Sequence, residues 1–207
     1  MSTRIRVSAL TSLAVAALAA STVLTAPAAG AAPKAASPEF LSASQLPPHP
    51  TSSWTAGPVT EGFPEELGLC VSTEGVPSYD YRQRTFHTDL DTGAAQLTVV
   101  ADTPALAKAL AKHYDDLIRT CADRIEAADP DVEAEVRDYG KLPVEEGARV
   151  RGLHTETSWG ANDVALLSVG RDGKTVTVVW WGQMGDFGDA PVTAFKKTTK
   201  TAVTKLY

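Results

Sequence analysis

One carboxylate of this chain stands in a setting that could do acid–base chemistry, the run Asp91-Thr92-Gly93. Two such carboxylates that share one proton can activate a water molecule for peptide hydrolysis. One chain supplies a single copy of the run, so this hypothesis would require a homodimer. A simpler interpretation is a turn, because an Asp/Gly pair between two strand-like segments is typical of a β-hairpin. We therefore predict a turn here and no catalytic residue.

The four histidines, His49, His87, His113 and His154, are scattered along the chain. None of them stands at the spacing of a metal-ligand motif. A site assembled in three dimensions from His87, His154 and a carboxylate remains an open alternative. The sequence contains no Gly-x-Ser-x-Gly, no phosphate-binding loop and no His-Glu-x-x-His. We predict no metal, no cofactor and no enzymatic activity.

The glycine-rich run Gly185-Asp186-Phe187-Gly188-Asp189 carries two carboxylates that could contact Ca²⁺. It supplies fewer oxygen ligands than a calcium loop needs. Asp189 is better placed as the N-cap of a helix that begins near Pro191.

The tryptophans are the best candidates for ligand contact. Trp180 and Trp181 are adjacent, so on a strand they point to opposite faces of a sheet. One of them is expected in the core, and an exposed aromatic partner would suit a ligand. Together with Trp54 and Trp159 they could line an apolar cleft. The alternative is a pair of ordinary core tryptophans in a sheet covered on both sides.

Two cysteines, Cys70 and Cys121, predict one intramolecular disulfide if the protein is secreted. Secretion is indicated by Arg4 and Arg6, by the apolar run 7–24 and by the small residues 29–31. We predict a signal peptide over residues 1–31, a flexible leader over 32–38 and a single domain over 39–207. A free catalytic thiol is the less favoured alternative to the disulfide.

The balance of charged residues limits the kinds of partner that the protein is expected to bind. The chain has 19 Lys+Arg and 25 Asp+Glu, a formal net charge of −6, and no basic cluster. An acidic chain of this kind is not expected to bind nucleic acid or anionic membranes. After the run 7–24 no apolar stretch is long enough to span a bilayer. We expect a secreted, extracellular monomer without integral membrane association.

Hydrophobic patterning predicts the elements that would position these residues. Two hairpins are expected, one around Asp91-Thr92-Gly93 and one around Arg171-Asp172-Gly173-Lys174. Thr103 and Pro104 begin a long central helix whose apolar stripe includes Cys121, and Asp129 ends it. Two further strands and a C-terminal helix follow. The fold class is α+β, an antiparallel sheet built from two β-hairpins and additional strands, with one long central helix and a C-terminal helix.

The predicted domain opens with Leu41-Ser-Ala-Ser-Gln-Leu46-Pro47-Pro48, and its amphipathic helix ends Ile118-Arg-Thr-Cys121-Ala122. With a cysteine and a hairpin between them, this order resembles the PknH-like extracellular sensor domains of actinobacteria. Members of that family occur as receptor-kinase ectodomains, lipoproteins and free secreted proteins. The resemblance implies a binding module whose unidentified ligand lies in a cleft between sheet and helices. It implies no particular binding residue.

The expected function is therefore that of a secreted, soluble, non-enzymatic domain that binds a small or cell-envelope ligand in an aromatic cleft. Two alternatives remain, a secreted hydrolase with a non-motif active site and a protein–protein interaction or inhibitor module. A concave pocket with Trp180 or Trp181 would favour the first hypothesis. Converging Asp and His side chains would favour the hydrolase, and a flat apolar patch the interaction module.

Overall fold

An antiparallel β-sheet of eight strands lies at the centre of the protein in a computed structural model that describes residues 37–74, 76–77 and 79–207. The predicted signal peptide and residues 32–36 of the predicted leader lie outside the described residues. Within the described part, no helix is both long and apolar enough to cross a membrane. The strands are β1 (Thr55–Ala56), β2 (Thr60–Glu61), β3 (Asp80–His87), β4 (Gly93–Val100), β5 (Val132–Leu142), β6 (Ala148–Thr157), β7 (Asn162–Asp172) and β8 (Thr175–Met184).

Along the sheet the order is β1, β3, β4, β8, β7, β6, β5, and β2 also pairs with β3. Strands β5 to β8 form a meander in which each strand pairs with the next along the chain. A tight turn joins the last two strands, because Asp172 pairs with Thr175 and leaves only Gly173 and Lys174 between them. Gly173 has a φ of 53°, in the left-handed region that favours glycine. The sheet is thus a four-stranded meander joined through β4 to β3.

Three helices accompany the sheet, α1 (Pro104–Arg119), α2 (Cys121–Ala128) and α3 (Val192–Thr204). The start of α1 is as predicted, since the Leu106 N–H donates to Thr103 Oγ1 at 3.2 Å and Pro104 occupies the first turn. The predicted single central helix is corrected to two helices that meet at Thr120. The hydroxyl of Thr120 donates to the carbonyl of Asp116 at 3.1 Å, a back-bond that bends helices.

The beginning of α3 also differs from the prediction. Pro191, not Asp189, is the N-cap residue of this helix. The Asp189 carboxylate instead accepts the Asp186 N–H at 3.0 Å, and the Asp186 carboxylate accepts the Gly188 N–H at 2.5 Å. Both acids are therefore used to shape the loop before the helix.

The sheet buries both of its faces. We call the face that packs against α1 and α2 the front face, and the face that packs against α3 the back face. Side chains alternate between them, so that Leu97 and Val99 of β4 are buried on the front while Ala94 is buried on the back. Burial of a leucine or valine contributes about 1.5–3 kcal/mol relative to exposure. The predicted mixture of helices with an antiparallel sheet is confirmed.

A buried glutamine fixes the N-terminal segment to the back face. The Leu41 N–H donates to Gln96 Oε1 at 2.8 Å, and Gln96 Nε2 donates to Thr177 Oγ1 at 3.2 Å. The Leu41 side chain is fully buried beside them. Because the amide has partners on both sides, its burial does not leave an unsatisfied polar group.

An ion pair fastens α1 to β6 on the front face. Arg151 of β6 donates to both carboxylate oxygens of Asp115 on α1, at 2.8 and 3.1 Å. Beside it, Arg149 forms an ion pair with Asp138 of β5. The Arg149 guanidinium is the main reason that the pKa of Asp138 is lowered to about 2.

Candidate functional site

A cleft of about 700 Å³ opens on the front face at the end of the sheet where β3 turns into β4. Helices α1 and α2 pack over β5, β7 and β8, and the cleft lies beside them. Strands β6 to β8 form its floor, and two loops form its walls. One wall is the segment that contains the 3₁₀ turn Glu65–Leu67 and continues to Cys70. The other wall is the loop 88–92 between β3 and β4. We call this the Trp180 cleft, after the largest side chain of its floor.

The indole of Trp180 lies against two glycines, which have no side chains. Gly93 of β4 and Gly182 of β8 are directly paired, and the ring of Trp180 lies against both. A Cβ at Gly93 would lie 3.2 Å from the ring, and a Cβ at Gly182 would overlap it. Neither glycine has a positive φ. Their role is therefore to leave room for the indole, which remains half-buried.

Large apolar side chains are exposed around the mouth of the cleft. Leu69, Leu90 and Met184 are 59 %, 52 % and 63 % exposed, and all three line the cleft. Ala165 and Leu167 of β7 continue the apolar surface into the floor. A contiguous apolar surface that is concave and open to solvent is typical of a ligand-binding site.

The charged residues at the cleft are of one sign. Glu66, Asp91 and Asp163 line it from the first wall, the second wall and β7, and all three are exposed. Among the described residues that line the cleft there is no lysine or arginine. His87, at the end of β3, is the remaining titratable side chain in the lining. The cleft therefore combines an apolar floor with a negative mouth.

The predicted disulfide is confirmed, and it supports one wall of the cleft. Cys70 and Cys121 are bonded, with their Cα atoms 5.1 Å apart. Arg124 of α2 adds a second tie, because its Nη2 donates to the Cys70 carbonyl at 2.8 Å. Leu67, fully buried just before this point, anchors the same segment in the front core. The wall that carries Glu66 and Leu69 is thus fastened to the start of α2.

The four predicted tryptophans do not meet in one cleft. Trp180 lines the Trp180 cleft on the front face, whereas Trp181 is 3 % exposed in the back core. Trp54 packs against the back core as well, and its Nε1 donates to the Pro47 carbonyl at 2.7 Å. Trp159 is 67 % exposed in the turn between β6 and β7 and does not line the cleft. The expectation that Trp180 and Trp181 point to opposite faces is confirmed.

The two histidines of the catalytic hypothesis are also separated, although Asp91 lines the same cleft as His87. Asp91 lies in the loop between β3 and β4, the turn that the sequence indicates. His87 lines the cleft on the front face, while His154 on the back face contacts the Phe187 ring and hydrogen-bonds to Asn162. Within the part of the chain that the structure describes, no group of three or more His, Cys, Asp or Glu side chains is arranged to hold a metal ion.

Most of the residues that line the cleft could not be predicted from the sequence. Leu69, Leu90 and Met184 stand in loops or at a strand end, where an apolar residue carries no periodic signal. In the sequence, Gly93 indicates only part of a turn. The paired glycines become informative only when β4 is placed beside β8, and no local pattern fixes that register.

Compared with protein-family models, with curated proteins and with solved structures, the chain matches none.

Proposed function

We propose that this chain is a secreted, non-enzymatic binding domain that holds a small apolar molecule in the Trp180 cleft. One observation carries the proposal: three exposed large apolar side chains surround a concave floor on which a half-buried indole lies against bare backbone. Exposing so much apolar surface in one place costs free energy that an occupant would recover at about 25 cal/mol per Å² buried. An occupied cleft accounts for this arrangement.

The dimensions favour a small molecule. Clefts of about 300–1,000 Å³ are typical of sites for drug-sized ligands, and the Trp180 cleft falls within that range. Around the indole, Ala165 and the two glycines add little side-chain bulk to the sheet. A flat or extended apolar group would therefore make the most contact. A protein partner would instead require a broader and flatter patch.

The setting supports a sensor-like role outside the cell. The disulfide is suited to an oxidising compartment. Residues 1–31 have the composition of a secretory signal peptide. The resemblance to the PknH-like sensor domains also implies a ligand between sheet and helices. Under this proposal the domain binds its ligand without changing it chemically.

Titration with N-phenyl-1-naphthylamine, an uncharged fluorophore that brightens in apolar surroundings, tests the proposal. The protein is purified after expression of the full chain. We expect saturable binding at one site, weakened at least about tenfold by Ala165→Phe, because the added ring occupies the floor. Ala127→Phe on the exposed side of α2 is the matched control and should leave binding unchanged. Saturable binding that Ala165→Phe leaves intact, or no saturable binding, would overturn the proposal.

A further inference from the structure

Three acidic residues line the Trp180 cleft, and no basic side chain that the structure describes pairs with them. Among the described residues, Glu66, Asp91 and Asp163 take part in no ion pair. Elsewhere on the front face, Asp115 and Asp138 each pair with an arginine. The three carboxylates lie on three different elements. What they share is that each of them lines the cleft.

The apolar residues and the charged residues occupy different parts of the cleft. The indole of Trp180 and the side chains of Ala165 and Leu167 form the floor. Glu66 and Asp91 lie on the two walls, where both remain exposed to solvent. A molecule whose apolar part covers the floor would place its polar end among carboxylates. No lysine or arginine of the described lining would offset their charge.

We infer that the molecule held in the Trp180 cleft is a cationic amphiphile, with an apolar body on the floor and an ammonium group at the mouth. This inference rests on the proposed function, because it names the class of ligand for the same site. An ammonium group would interact favourably with the three unpaired carboxylates, whereas an anionic head group would be repelled by all of them. A cation close to the indole would gain further from the negative face of the ring.

Three probes with the same dodecyl chain separate the charge from the apolar body. Dodecylamine, dodecanol and dodecanoate are each tested as competitors of N-phenyl-1-naphthylamine at low ionic strength, below their solubility limits and critical micelle concentrations. We expect the amine to compete about tenfold more strongly than the alcohol, and the carboxylate to be the weakest. The advantage of the amine should shrink as salt is added, since the carboxylates lie in solvent.

A triple variant, Glu66→Gln with Asp91→Asn and Asp163→Asn, identifies the source of the preference. It should reduce the advantage of the amine to about twofold or less while the alcohol competes as before. The control makes the same change in charge away from the cleft, at the exposed residues Asp102, Asp123 and Glu133. It should keep the preference.

The outcomes distinguish the two proposals. Equal competition by amine and alcohol, or a preference that survives the triple variant, would refute the cationic ligand and leave the apolar site intact. Failure of all three dodecyl probes to compete would refute both. Strongest competition by dodecanoate would reverse the inferred sign of the ligand's charge.

Discussion

Replacing Gly182 with alanine tests the packing on which the Trp180 cleft depends. An added Cβ would lie 2.9 Å from Cη2 and 3.1 Å from Cε2 of Trp180, and closer still to Cζ2. The indole would have to leave its position on the sheet. At the paired Gly93 the nearest ring atom would be 3.2 Å away, a contact that a small shift relieves. The two glycines therefore provide a severe and a mild version of the same change.

The expected magnitudes follow from two opposing effects. Forcing an extra methyl group into a packed contact costs about 1–3 kcal/mol. Removing a glycine restricts the unfolded chain and stabilises the protein by about 0.4–1 kcal/mol. Gly182→Ala should therefore lower the free energy of unfolding by about 1–2 kcal/mol. Gly93→Ala should change it by less than about 1 kcal/mol in either direction, because the two effects nearly cancel.

Urea unfolding followed by circular dichroism measures these changes, and comparison of the slopes checks that the surface exposed on unfolding is unchanged. The Gly182→Ala substitution is also made in a Trp180→Ala protein, which lacks the indole. Without the indole, the alanine at Gly182 meets no ring, so its cost should disappear and the double-mutant cycle should show coupling. A Gly182→Ala protein as stable as the wild type would refute the reasoning, and so would a cost that persists without Trp180.

The disulfide, an ion pair and a helix cap give three more expected outcomes. Replacing Cys70 and Cys121 together by alanine should lower the free energy of unfolding by about 4 kcal/mol, because the bond closes a long loop between residues 51 apart. An unchanged urea midpoint would contradict this. The pKa of Asp138, about 2 beside Arg149, lies below its unfolded value of about 3.9. This contribution to stability is present above about pH 4 and is lost as the pH falls towards 2, so Asp138→Asn should flatten the pH dependence of the unfolding midpoint in that window. Equal pH dependence in both proteins would count against the ion pair. Thr103→Ala should cost about 1 kcal/mol in the same urea assay, while Thr103→Ser keeps the cap; equal losses in both would exclude capping as the cause.

Local patterns predicted the elements well where the physical cause is local. The cap at Thr103, the positive φ of Gly173 and the opposite faces of Trp180 and Trp181 depend on neighbouring residues alone. The disulfide followed from the number of cysteines and the predicted compartment. Each of these expectations uses only backbone conformation, alternation or counting, which a sequence displays directly.

The features that could not be predicted from the sequence depend on contacts beyond the local pattern. The break at Thr120 is invisible in an apolar stripe that continues across it. The Thr120 hydroxyl donates there to the Asp116 carbonyl, a side-chain contact that periodicity does not display. The cleft arises where β4 pairs with β8, which brings Gly93 beside Gly182 and leaves space above them. Its carboxylates come from three separate elements. Only the register of the sheet joins these residues, and that register is set by the whole fold.

The most direct test of the central claim follows the four indole N–H signals by ¹H–¹⁵N NMR while N-phenyl-1-naphthylamine is added. Single Trp→Phe variants assign the signals. The proposed binding site predicts that the Trp180 signal shifts saturably, because the fluorophore lies on that ring, while the signals of Trp54, Trp159 and Trp181 stay in place. A Trp180 signal that remains fixed while another indole responds, or four fixed signals, would contradict a ligand site in the Trp180 cleft.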